Sequence, residues 1–224
     1  MRDHRQEVKD ALNMMGELNN VIQDTHGNVS SCDENGEVYI KPSGMPYDKI
    51  KVTDVCRIVG GKHVKWTPEL YKFINRKPSV DLIHHIAVYE RLPNIKAVCH
   101  THSPYATAYA YAGKAVRCLG TEQSDFFGSD ICVAPYSDLS SWGEQATKYI
   151  NLSTKALLLG RHGVLTFGNT PEEAVKLAVA VENCARKNYF AETLFSNNTG
   201  TQLEGLPSKE VEKWHDRYTK KYGQ

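Results

Sequence analysis

Long apolar runs, paired cysteines and an excess of charge of either sign are what this 224-residue chain lacks. No apolar stretch approaches the roughly 20 residues that span a bilayer, so no membrane helix is expected. The six cysteines, Cys32, Cys56, Cys99, Cys118, Cys132 and Cys184, include no C-x-x-C pair. A chain this long buries a core without disulfide staples, so reduced and mostly buried thiols are expected. Lys and Arg number 27 against 26 Asp and Glu, a formal charge of +1. Nucleic acid or anionic lipid as a partner usually requires a basic surplus, and neither is expected here. The one mildly basic stretch, KWHDRYTKKYGQ, reads equally well as a solvated helix end. The N-terminal twenty residues have no apolar h-region, so no secretory signal is expected and the cytoplasm is the expected location. The absence of G-x-x-x-x-G-K-[ST] argues against a nucleotide P-loop. Internal repeats and low-complexity segments are missing too.

What is present is a composition 41% hydrophobic, enough for one large domain or two small ones. Residues 5–22 space Val8, Leu12, Met15, Leu18 and Ile22 on one face of an amphipathic helix. GNVSSC and EVYI read as strands joined through the Asn-Gly of DENGE. VCRIV and KHVKW, split by Gly60-Gly61, suggest a second hairpin. Residues 80–91 fit a helix with Ser79 as N-cap. IKAVCH reads as a strand, followed by a helix with Ser103 as N-cap and Pro104 at its first position. Residues 138–151 read as helical, and ALLLG-RHG-VLTFG as two strands around a tight turn. Residues 170–194 form the longest helical pattern, opened by Thr170 and Pro171, and LPSKEVEKWHDRYTKK reads as a last helix. Alternating strands and helices with many hairpins predict an α/β fold, a mixed sheet flanked by helices in one domain.

The stretch VCHTHSPYA carries the first chemical signal. Residues i and i+2 share one face of a strand but point about 200° apart on a helix. His100 and His102 therefore project together from the C-terminal end of an apolar strand, a common place for ligand sites in α/β proteins. Two such imidazoles either share a divalent cation or form a hydrogen-bonded pair. His162, at the tip of the GRHG turn, is either a turn residue or a third ligand. Three histidines leave a coordination position open, as catalytic rather than structural zinc sites do, and a carboxylate is a natural fourth ligand.

Three short stretches, HGNVS (26–30), KPSG (41–44) and KPSVD (77–81), offer small residues, hydroxyls and exposed backbone N–H groups. The third runs into a helix start, where N–H groups and the helix dipole favour an anion. Singly each is a turn. Together, beside three histidines, they suggest a phosphorylated or carboxylated substrate.

In order along nearly the whole chain, GNVS, IKPSG, KPSVD…HHIAVY, VCHTHSPYAT, GTEQSDFF, LLLGRHGVLTFG and the terminal YGQ resemble the class II aldolase and adducin-like family, most closely its pentulose-phosphate 4-epimerase branch. The resemblance implies a single-domain three-layer α/β/α sandwich over 1–224 with a central, mostly antiparallel sheet. It implies a homotetramer with active sites between subunits, residues 207–224 reaching a neighbour. It implies Zn²⁺ or another divalent ion on His100, His102 and His162, joined by Asp81, which by itself reads as a charge complementing a helix dipole. The matching phosphate positions are Gly27, Asn28, Lys41, Ser43, Gly44 and Ser79; Val80 stands where the branch has a second serine, so one hydroxyl is missing. Asp125 falls on an acid/base aspartate and Tyr222 on a tail tyrosine that enters a neighbour's site, with Tyr218 as a weaker candidate. Both also have plain readings, a loop cap and a disordered end.

The implied activity is metal-dependent interconversion of L-ribulose 5-phosphate and D-xylulose 5-phosphate in pentose catabolism of the arabinose or ascorbate type. The carbinol C–H being inverted is not acidic, so a retro-aldol cleavage and re-addition is required. The rivals within the family are a sugar-phosphate aldolase, which typically has Glu at the Asp81 position and His-Asn-His where this chain has His-Thr-His, and a methylthioribulose-phosphate dehydratase. A non-catalytic adducin-like interaction domain would be expected to lose its histidines.

Overall fold

A computed structural model describes residues 3–18, 24–59, 72–137, 145–201 and 203–221. Eight strands are present among them: β1 (Asn28–Cys32), β2 (Val38–Ile40), β3 (Cys56–Val59), β4 (Lys72–Ile74), β5 (Ala97–Thr101), β6 (Val133–Ala134), β7 (Ala156–Leu159) and β8 (Gly163–Gly168). They form one sheet in the order β4-β3-β2-β1-β5-β8-β7-β6. Neighbours pair antiparallel throughout, except β6 with β7, which are parallel. The α-helices with both ends among the described residues are α1 (His4–Glu17), α2 (Leu82–Arg91), α3 (Pro104–Ala112), α4 (Thr121–Phe127), α5 (Pro171–Thr199) and α6 (Ser208–Lys221).

The period-2 alternation of the central strands builds the layers. On β7, Leu157 and Leu159 pack with Leu82 and Ile86 of α2, while Ala156 and Leu158 pack with α3 and α5. On β5, Val98 faces α2, while Ala97 and Cys99 join Val8, Leu12 and Met15 of α1 and Val175 of α5. The sheet is therefore covered by α2 on one face and by α1, α3 and α5 on the other, the α/β sandwich that was expected.

Local signals explain most element boundaries. The β1–β2 hairpin forms around Asp33–Gly36, with Asp33 Oδ1 accepting the backbone N–H of Asn35 and Glu37, each at 2.8 Å. Thr170 Oγ1 caps α5 by accepting the Glu173 N–H at 3.1 Å, with Pro171 at the first position. None of the six cysteines, all of them described, is joined in a disulfide, and Cys56, Cys99, Cys118 and Cys184 are buried.

Four expectations need correction or completion. Asp81, not Ser79, is the N-cap residue of α2, and its side chain makes no capping bond because it is turned toward Asn28 and Ser79 instead. α5 runs to Thr199, five residues past the expected end. Asp125 lies inside α4, a helix the sequence did not announce, between Gly120 and the left-handed Gly128. β3 pairs with β2 on one side and, on the other, with β4, a strand the sequence did not announce. The expected strand KHVKW, the first residues of the 138–151 helix and Ile22 lie outside the described residues, and Thr147–Tyr149 is a 3₁₀ turn.

A three-histidine cluster and its flanking loops

β5 places His100 and His102. Val98 of that strand faces α2, so the same parity turns both histidines to the α2 side of the sheet. β8 pairs antiparallel with β5, and the β7–β8 turn therefore returns His162 to the C-terminal end of β5. The three rings meet there, with centroids 4.7 Å (100–102), 4.8 Å (100–162) and 5.0 Å (102–162) apart. One nitrogen from each lies within 4.8 Å of the other two. Nitrogens bound to one ion at about 2.1 Å lie at most about 4.2 Å apart, so a small ring rotation would complete a tripod.

The chemistry of the donors fits a cation. His100 Nδ1 is 2.9 Å from the Val164 carbonyl oxygen, which only accepts. The proton therefore sits on Nδ1, and Nε2 keeps its lone pair, facing His102 Nε2 at 2.9 Å. Burial pushes His100 down to about 4 and His102 to about 4, and lowers His162 as well. All three are thus neutral at pH 7, the form that ligates.

Gly163 makes the packing possible. A Cβ there would stand 2.5 Å from the Thr101 carbonyl oxygen and 2.6 Å from His102 Cδ2. Only glycine lets the β8 backbone come this close to β5 beneath the rings. The sequence signal was present, a glycine directly after His162, but its role is visible only from the register.

The loops converge on the same strand end. Asn28 is paired with His100 across β1 and β5. Gly27, at φ +80°, has its α-carbon against the His100 carbonyl, which a Cβ would meet at 2.9 Å. The Asn28 amide donates to Asp81 Oδ2 at 2.7 Å and to Ser79 Oγ at 3.0 Å. Pro42 bridges Pro78, with the Ser43 N–H donating to Lys77 O and the Ser79 N–H to Lys41 O. HGNVS, KPSG and KPSVD are therefore one connected group of loops, in which Gly27 and Asn28 are buried. Within it Ser43, Gly44 and Val80 are exposed and Ser79 half-buried. Lys41 is different: it is 2% exposed, and its ammonium donates to Thr25 O at 3.0 Å. Burial lowers its pKa, and its charge supports the loop from beneath rather than facing solvent.

Asp81 stands between loop and cluster. Burial opposes its ionisation, but the neighbouring imidazoles, His100 foremost, hold it down to about 2, so it is a carboxylate. His84, fully buried on α2, was not anticipated. Its ring lies 5.5 Å from that of His162 and 6.2 Å from that of His100, and its Nδ1 is 3.8 Å from Asp81 Oδ1. The signal was HH in HHIAVY, with helical spacing from Asp81 to His84 (i, i+3). His26 is also close, 5.7 Å from the His102 ring.

Asp125 lies on α4. It makes no hydrogen bond or ion pair with the cluster, and α4 packs on α5 and α6, where His215 Nδ1 donates to Ser124 O at 2.9 Å. The Tyr218 ring lies 5.5 Å from that of Phe126, tilted by 60°. Tyr222 lies outside the described residues.

The comparisons agree with this architecture. L-ribulose-5-phosphate 4-epimerase UlaF of Salmonella paratyphi B is 36% identical over 205 residues, covering 85% of this chain and 86% of its own. The protein of the same name from Salmonella typhi matches to the same extent. Among solved structures, an L-fuculose 1-phosphate aldolase superposes with a TM-score of 0.81 at 25% identity over 98% of this chain and 97% of that one. An L-fuculose-1-phosphate aldolase from Thermus thermophilus shares the fold, with a TM-score of 0.69 at 20% identity over 90% and 99%. Residues 6–189 match the family described as the class II aldolase and adducin N-terminal domain, and the chain belongs to that family.

Proposed function

We propose that the protein is an L-ribulose-5-phosphate 4-epimerase, interconverting that ketopentose phosphate and D-xylulose 5-phosphate, with a divalent ion, zinc, held by His100, His102 and His162 and supported by Asp81. The observation that carries the reading is the meeting of three neutral imidazoles with the joined 41–44 and 77–81 loops at one strand end. The resemblance to enzymes named for this activity supports the choice of substrate.

A divalent ion held by His100, His102 and His162 would supply Lewis acidity toward the substrate. The chain's own groups do the rest. Gly27, Asn28, Ser43, Gly44 and Ser79 surround the phosphate, with the Val80 N–H as a further donor at the start of α2. Lys41 keeps the loop backbone in place from below. Inversion requires one group to take the C4 hydroxyl proton and another to return a proton from the opposite side. Asp125 and Tyr222 are assigned those roles. A tyrosine of ordinary pKa near ~10 suits the donor. A homotetramer in which residues 207–224 reach a neighbouring subunit's site is part of the proposal, as the resemblance to the family implies. No helix among the described residues is long and apolar enough to cross a membrane; cytoplasmic pentose catabolism is the setting proposed.

The phosphate loops retain the aldehyde fragment between bond cleavage and re-addition, which separates epimerase from aldolase. Val80 removes one hydroxyl from that clamp, which favours a second, aldolase reading. Incubating zinc-loaded protein with L-ribulose 5-phosphate distinguishes the two. Accumulation of D-xylulose 5-phosphate is expected, with a minor leak of glycolaldehyde phosphate. Free fragments as the main product would make the protein an aldolase, and no turnover of either kind would remove the enzymatic reading.

A further inference from the structure

Glu182 sits within α5, 6% exposed, and points at the start of α3. Its two carboxylate oxygens accept one backbone N–H each, from Tyr105 and from Ala106, both at 3.0 Å. The first turn of a helix leaves N–H groups that the helix itself does not satisfy, and its own N-cap usually serves them. Here the N-cap is Ser103, whose side chain makes no capping bond and whose hydroxyl is buried without a hydrogen-bond partner among the described residues. The donors are served instead by a charged group from another helix, 76 and 77 residues further along the chain. Charge-assisted bonds to a helix N-terminus are stronger than neutral ones, and a two-oxygen acceptor fixes direction as well as distance.

The turn so held is the one that follows His102. Only Ser103, which is buried, and Pro104, whose ring fixes φ, separate His102 from Tyr105. On its other side, the His102 ring is backed by Gly163. We infer that Glu182 is a positioning residue for His102: by clamping the first turn of α3 to α5, it sets where the His102 ring stands relative to His100 and His162. The inference rests on the reading that these histidines bind a divalent ion.

The test is metal affinity and ligand geometry in the full chain. Zinc affinity is measured by competition with a chromophoric chelator, and geometry by the visible absorption of the cobalt(II)-loaded protein. Glu182→Ala removes both acceptors; Glu182→Gln keeps the size and one acceptor, and serves if the alanine variant does not fold. Asn188→Ala is the control: it lies on the same helix, 5% exposed, and donates to Arg117 O at 2.6 Å, away from the start of α3. Either Glu182 variant is expected to weaken zinc binding about tenfold or more and to alter the cobalt bands. Asn188→Ala is expected to lower Tm while leaving both readouts within twofold. A folded Glu182→Gln protein with lowered Tm, unchanged zinc affinity and an unchanged cobalt spectrum would reduce Glu182 to a structural cap and overturn the inference. Wild-type protein that bound neither metal would instead overturn the metal reading itself.

Discussion

Among single residues, Gly163 shows how little tolerance the cluster has. Its α-carbon lies between the Thr101 carbonyl and the His102 ring, and both would be struck by one added methyl. Neither is a flexible end that can swing aside: one is sheet backbone, and the other is a ring held among two further imidazoles. Gly163→Ala is expected to lower Tm, at a cost of about 1–3 kcal/mol from overpacking, and to reduce bound zinc per chain below half. Thermal melts and metal analysis of the purified protein check both, and a variant with full zinc and unchanged Tm would show that the strand ends move apart freely. The histidines themselves were legible from spacing, because a period of two on a strand admits one geometry. His84 was not, since a histidine on a helix declares its neighbours only when the facing strand is known. Lys41 was legible as a loop residue, but its inward course was not: the sequence KPSG reads the same whether the ammonium faces solvent or supports the carbonyls of Thr25 and Pro42.

On the scale of elements, the decisive contact is α2 against the β1–β5 pair. It buries His84, His85 and His100 completely. His85 Nδ1 lies 2.7 Å from Ser30 Oγ, which is also 2.6 Å from the Tyr89 hydroxyl. Burial pushes His84 and His85 down to about 3 and His100 to about 4. In the unfolded chain each would titrate near ~6.5. Between those limits the unfolded state binds more protons than the folded state, so stability rises with pH and is lost as pH falls below about 6.5. Each ring contributes a slope of up to about 1.4 kcal/mol per pH unit in that window. Asp81, whose pKa is depressed to about 2, acts lower: its contribution is present above about 3.9 and fades toward 2. Metal-free protein is therefore expected to lose Tm steeply between pH 6.5 and 5, as calorimetry would record; a flat profile would mean that these rings are not held neutral. The hairpin at DENGE and the cap at Thr170-Pro171 were legible locally because side chains there bond to backbone within a few residues. Helix α4 was missed because Gly120 and Gly128 bound only seven residues, too short for a periodicity to emerge.

For the whole molecule, the proposed site is shared between subunits. His100, His102, His162, Asp81 and the loops are gathered by one chain, whereas Asp125 stays with α4 and α6. A tetramer of the 25.2 kDa chain, about 101 kDa, is expected by light scattering. A sharper check mixes two inactive proteins, His100→Ala and Asp125→Asn, after reversible dissociation. Sites shared between subunits would regain roughly a quarter of wild-type activity, since random assembly pairs an intact histidine set with an intact Asp125 in about one site of four. Mixtures that stay inactive would place the proton carrier in the same subunit as the ion.

By itself the sequence determined the order of most elements, though not β4, α4 or β6, together with the strand that leads into His100 and His102, the turn that carries His162, and the small-residue loops. All of these follow from periods and turn chemistry confined to a few neighbouring residues. Only the tertiary structure decided that 60 residues separate His102 from His162 in the chain but not in space, because antiparallel pairing of β5 with β8 fixes their register. It likewise decided that two distant Lys-Pro-Ser loops bridge each other, that a carboxylate on α5 caps α3, and that burial keeps the imidazoles uncharged. Those outcomes depend on which surfaces meet, and a linear pattern of residue types leaves that undetermined.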